Sequence, residues 1–156
     1  MKVIDNKALV LKTKRPHLIT EQVDDYKILN EVDGVYKIAV PWRLHEAQVL
    51  AGLRVKEVPS PMTRDYSYTG KYEPFDHQKE TSSFLTLHKK AFCFNEQGTG
   101  KTASVIWAVD YLMQQDKVKR VLVICPLSIM KSAWQEDLFK FAMHRSCSIA
   151  YGTSEQ

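Results

Sequence analysis

Apolar positions follow two different rhythms along the chain. Up to about residue 58 they come in short runs and alternations. In that part Ala8-Leu9-Val10-Leu11-Lys12 predicts a strand, ended by the basic run that leads to Pro16. Residues 26–32 and 35–40 flank Asp33-Gly34, and Asp-Gly between β-rich runs is the strongest short hairpin signal, because both turn positions need positive φ. Pro41 closes the second strand. Residues 42–53 then read as a helix, with Leu44, Ala47, Leu50 and Leu53 on one face. Pro59-Ser60-Pro61-Met62 interrupts regular structure, and a polar stretch with Tyr66, Tyr68 and Tyr72 follows. Those tyrosines are expected to pack onto a domain.

From Phe75 onward, helical spacing alternates with continuous apolar stretches. Residues 76–88 predict a helix, 91–94 a strand, and 103–115 a second helix with Val105, Ile106, Val109, Leu112 and Met113 on its apolar side. Residues 120–125 form a run that is unbroken and apolar after Arg120, as expected of a strand covered on both faces. A third helix carries Trp134, Leu138 and Phe141, with Ser128 or Ser132 available as its N-cap. Residues 148–151 start a third strand. Strand and helix in alternation imply a parallel α/β sheet. The expected organisation is a small α+β domain over 1–58, a linker over 59–73 and an α/β unit over 74–156.

Composition changes this picture little. The net charge of +4 permits a nucleic-acid partner without requiring one. In the first domain Lys12, Lys14, Arg15, Lys37, Arg43, Arg54 and Lys56 are candidates for contacts with DNA phosphates, although acids are interleaved with them. Cys93, Cys125 and Cys147 lie in apolar runs without metal-ligand spacing, which predicts buried free thiols and a reducing compartment. No stretch approaches eighteen apolar residues, so a soluble cytoplasmic protein without a membrane partner is expected.

The chemistry concentrates in Asn95-Glu96-Gln97-Gly98-Thr99-Gly100-Lys101-Thr102, between a predicted strand and a predicted helix. That is the context of a phosphate-binding loop. Gly98 and Gly100 let successive N–H groups turn inward, and the positive end of the following helix faces the same anion. Lys101 is placed to reach β- and γ-phosphates, and the Thr102 hydroxyl to hold Mg²⁺. The expected ligands are ATP and Mg²⁺.

The order His77-Gln78, then 95–102, then Cys125-Pro126-Leu127-Ser128 with Trp134, then Tyr151-Gly152, resembles superfamily 2 helicase-related ATPases. It is most similar to the Swi/Snf branch, including phage and bacterial members. That branch commonly reads Asp-Glu-Met-Gly-Leu-Gly-Lys-Thr at the loop, where this chain has Asn95, Gln97 and Thr99 in place of Asp, Met and Leu. The resemblance implies the start of a RecA-like P-loop parallel sheet, preceded by the small α+β domain. It implies nucleotide contacts by His77, Gln78, Gln97, Gly98, Thr99, Gly100, Lys101 and Thr102, with Gln78 reading the adenine edge. It also implies contact with a DNA backbone at Pro126, Leu127, Ser128 and, with less support from the motif, Lys131.

The family hydrolyses ATP with an Asp-Glu pair on a later strand, an arginine and a second lobe. After Asp137 the only carboxylate in this sequence is Glu155. No catalytic residue is therefore assigned. The chain is expected to be the ATP-binding N-terminal portion of an ATP-dependent DNA helicase or translocase, inactive alone and prone to self-association through an exposed sheet edge. Two other readings stand beside it: a non-hydrolysing nucleic-acid or protein interaction module with a vestigial nucleotide site, and an unrelated P-loop kinase or switch NTPase.

Overall fold

Asp33 and Gly34 take φ of +53° and +72°, closing the expected two-residue hairpin in a computed structural model that describes residues 1–152. The hairpin joins β3 (Lys27–Val32) to β4 (Val35–Pro41). The predicted first strand is β2 (Ala8–Thr13), which pairs antiparallel with β4, and the short β1 (Lys2–Ile4) adds to its other side. The sheet order is β1-β2-β4-β3. Alternation along β2 and β4 puts Leu9, Leu11, Ile38 and Val40 on one face, where each is nearly inaccessible. The helix α2 (Leu44–Gly52) presents Ala47 and Leu50 to that core, with Leu44 also buried. Each buried Leu, Ile or Val side chain contributes about 1.5–3 kcal/mol by leaving water. β3 lies at the edge with every residue exposed and a bulge between Ile28 and Asn30, a common way to blunt an unpaired edge.

The chain divides into two compact units, one of residues 1–66 with 83–91, the other of 67–82 with 92–156. The first holds the sheet, a short α1 (His17–Thr20), α2 and α3 (Met62–Asp65). Ser60, Pro61 and Met62 are buried in it, and the Trp42 indole N–H donates to the Pro59 carbonyl at 2.9 Å. The Ser60 and Thr86 hydroxyls share a buried hydrogen bond of 2.7 Å.

The second unit is built on α5 (Lys101–Gln114), α6 (Glu136–Phe141) and the first part of α4 (Asp76–Leu87). A 3₁₀ turn at Leu127–Ile129 runs into a π-helical turn at Met130–Gln135, which leads into α6. Aromatic rings knit this unit. Tyr68 meets Trp107 edge-on at 5.3 Å, Trp107 meets Phe141 at 5.2 Å, and Tyr72 leans on Phe141. Such pairs add about 0.5–1.5 kcal/mol each beyond the area they bury. Asp110, at the buried side of α5, accepts from His144 Nε2 at 2.8 Å, Arg145 Nε at 2.7 Å and Gln114 Nε2 at 3.1 Å.

Three expectations are corrected. The only sheet among the described residues is antiparallel, and 91–94, 120–125 and 148–151 form no strand. A parallel strand depends on neighbours at its edges and cover on its faces. Here Phe92, Phe94, Leu122 and Ile124 are between 81% and 89% exposed, so neither condition holds. The exposed edge expected at the third strand is accordingly replaced by exposed apolar runs. On α5 the buried stripe runs through Ala103, Ile106, Trp107, Asp110 and Tyr111, because the aromatic cluster lies on that side. The aliphatic residues Val105, Val109, Leu112 and Met113 are only half-buried. Finally, neither Ser128 nor Ser132 caps a helix: Pro126 and Ile129 hold the cap positions, without side-chain hydrogen bonds.

Candidate nucleotide site

The site grows from the N-terminus of α4. Gln78 is the third residue of that helix, and its Oε1 accepts the N–H of Phe75 at 3.1 Å, just before the helix begins. This is one half of a capping box, and it fixes the carboxamide. The other end of the same group, Nε2, donates to the Thr99 carbonyl at 3.1 Å. His77 Nε2 lies 3.1 Å from that carbonyl too. An oxygen acceptor requires the proton on Nε2, which in a neutral ring leaves Nδ1 as an acceptor. The His77 ring stacks on Phe75, with centroids 5.7 Å apart and planes 9° from parallel.

The loop is held at both ends. Asn95 Nδ2 donates to Thr81 Oγ1 at 2.9 Å, and that hydroxyl donates to the His77 carbonyl. Thr99 Oγ1 donates to the Glu96 carbonyl. Lys101 Nζ folds back over the loop and donates to the carbonyls of Asn95 and Glu96, both at 2.8 Å. Gly98 and Gly100 have φ of +78° and +75°. Gly100 is also the residue before α5 and gives the helix no side-chain cap. The first N–H groups of α5 are therefore left to whatever ligand the loop meets. Behind the loop, the single Ser82 hydroxyl proton is shared between the carbonyls of Gln78 and Ser104, 2.8 and 2.9 Å away, joining the two helices through small buried residues.

Several sequence-predicted residues thus converge: His77 and Gln78 meet Thr99, Gly100 lies against Gln78, and Lys101 closes the loop on Asn95 and Glu96. Gln97 and Gly98 form the exposed turn of the loop, and Thr102 is half-buried at the start of α5. The Thr102 hydroxyl makes no hydrogen bond among the described residues. Pro126, Leu127, Ser128 and Lys131 are exposed, and among the described residues no side-chain hydrogen bond or ion pair links them to the loop. Phe75 and Thr81 carry no role in the sequence reading, and Asn95 enters it only as a departure from the family's loop. The spacing of Phe75 to Gln78, first residue before a helix to its third position, is the signal that would have found the first.

Cys93 and Cys125 are half-buried and Cys147 is exposed, against the expectation of three buried thiols. Among the described residues, no cluster of three or more His, Cys, Asp or Glu is placed to hold a metal ion. No described helix is long and apolar enough to cross a membrane.

The family profile for the SNF2-related domain matches residues 40–155. No curated protein and no solved structure matches the chain.

Proposed function

Because this chain belongs to the SNF2-related domain family, a Swi/Snf-like group of superfamily 2 helicase-related ATPases, we propose that residues 95–102 bind ATP with Mg²⁺. In this reading the chain supplies the nucleotide-binding part of a DNA helicase or translocase. One observation carries it: two α4 side chains, His77 and Gln78, meet the Thr99 carbonyl of a loop that Lys101 closes from the other side.

The residues fit the ligand. Gly98 and Gly100 at positive φ, with Gln97 and Thr99 between and beside them, form a cradle of N–H groups for phosphate oxygens. The Lys101 ammonium has three protons, so it can exchange loop carbonyls for phosphate. Thr102 has a hard hydroxyl oxygen suited to Mg²⁺. When bound, Mg²⁺ supplies neutralisation of charge on the β- and γ-phosphates. Each end of the Gln78 carboxamide retains one further hydrogen-bonding position, enough to read an adenine edge. The exposed Phe75–His77 stack suits a purine face. For DNA, the exposed Pro126-Leu127-Ser128 segment and Lys131 are the proposed backbone contacts.

A second reading, nucleotide binding without turnover by these 156 residues, is favoured by the carboxylates after the loop. Asp110 is committed to His144 and Arg145, and no Asp is followed directly by Glu in the sequence; the one adjacent acidic pair after the loop, Glu136-Asp137, stands in the reverse order with Asp137 paired to Lys140.

Titration with a fluorescent ATP analogue and Mg²⁺, beside Lys101→Ala and with turnover followed in the same samples, tests both. A loss of affinity above tenfold in the variant, or about 1.4 kcal/mol, supports the site. Turnover decides between the two readings. A folded chain that binds no nucleotide overturns both.

A further inference from the structure

Directly opposed residues of an antiparallel ladder share a face, so register alone fixes what the outer side of the sheet carries. Lys2 opposes Val10, Lys12 opposes Lys37, and Lys27 opposes Ala39. Val10 and Lys12 alternate with the core residues Leu9 and Leu11, and Lys37 and Ala39 with Ile38 and Val40. Four lysines therefore stand on the face away from the core. The one carboxylate in the four strands, Glu31, opposes Tyr36 on the other face, where its proximity raises the Tyr36 pKa.

This arrangement opposes folding. Like charges directly across two strands are destabilising, and Lys12 and Lys37 are such a pair. None of the four lysines has an ion-pair partner among the described residues. Elsewhere in the same unit cations are neutralised: Arg43 by Asp25 and Glu46, and Arg64 by Asp65. Lys2, Lys12 and Lys37 also line an open groove of about 1010 Å³, joined there by Lys14, Arg15 and Lys56, with no acidic residue in its lining. A concave, acid-free cationic surface concentrates its field outward, toward an anionic ligand.

We propose that this groove and sheet face dock the sugar-phosphate backbone of duplex nucleic acid. The cations are too many and too spread for one small anion, which points to a polyanion. No aromatic residue lines the groove, and binding of single strands relies on aromatic stacking platforms. Lysine contacts to phosphate position a duplex without reading its sequence. The proposal is independent of the nucleotide site, since every residue it uses lies within 2–56.

The test is fluorescence anisotropy of the full chain with a labelled duplex of about 20 base pairs, titrated between about 50 and 200 mM salt. Lys12→Gln/Lys37→Gln should weaken binding at least about tenfold at low salt and reduce the log–log salt slope by about 2. Its Tm should stay level or rise, because a like-charge pair has been relieved, and its affinity for the ATP analogue should not change. Unchanged duplex affinity and slope in the variant overturn the proposal. So does tighter binding of the single strand, or a fall in Tm that accompanies the loss of affinity. Binding of phosphatidylserine vesicles or polyglutamate without duplex binding would assign the face to another class of partner and equally overturn it.

Discussion

A Cβ placed on Gly100 would collide with Gln78 Nε2, the same nitrogen that donates to the Thr99 carbonyl. The loop and α4 are thus in contact at a point that favours glycine, by its backbone conformation and by the side-chain end that a Cβ there would push aside. The φ of +75° excludes most side chains, and the carboxamide fills the space a methyl group would need. Gly100→Ala is expected to cost about 2–3 kcal/mol in denaturant unfolding. Gly100→Ala/Gln78→Ala should recover the steric part and leave the backbone part of about 1–2 kcal/mol. Strict additivity of the two single changes would show that the contact does not shape the loop.

Asp110 is 2% exposed and accepts from three side chains. Asp110→Asn keeps the shape and removes the charge facing Arg145 and His144. Urea unfolding followed by tryptophan fluorescence should show a loss of about 2–4 kcal/mol. A change below about 0.5 kcal/mol would mean the network is not coupled to folding.

Burial raises the Tyr68 phenol above its ordinary value of 10.0. A folded pKa above the unfolded one makes ionisation oppose folding. The stabilisation is complete below about pH 10 and disappears as pH rises through the folded value. Tyr68→Phe should move the alkaline unfolding midpoint upward and remove one late-titrating phenol from the ultraviolet titration. An unchanged midpoint would mean another group governs alkaline unfolding.

Leu122 and Ile124 are 85% and 89% exposed within an unbroken apolar run. Such a segment, of high β-propensity and without charge, favours association. Leu122→Lys/Ile124→Lys should shift sedimentation toward the monomer at tens of micromolar protein. A parent chain already monomeric there would show that the run does not drive association.

Local signals in the sequence carried far where the physics is local. Asp33-Gly34, the alternation of β2 and β4, the stripe of α2 and the glycine loop all depend on a few adjacent residues, and each was found where expected. β1, α1 and α3 have three or four residues each, too few for a periodicity to register. The apolar stretch 120–125 shows the opposite limit. A continuous run fits a covered strand, yet whether it is one depends on partners distant in sequence. On α5, counting aliphatic residues pointed to Val105 and Leu112, while Trp107 and Tyr111 took the interior with rings contributed from Tyr68 and Phe141. The convergence of His77 and Gln78 on Thr99 was legible only in part: the motif order named the residues, but not the shared carbonyl.

Lys101 resting on the carbonyls of Asn95 and Glu96 has a calorimetric consequence. If nucleotide binds as proposed, its phosphate would meet an ammonium already latched and would displace two acceptors from it, so charge-assisted bonds would be traded and not created. The heat released on association should be correspondingly small, and the gain should come from released water and from neutralised charge.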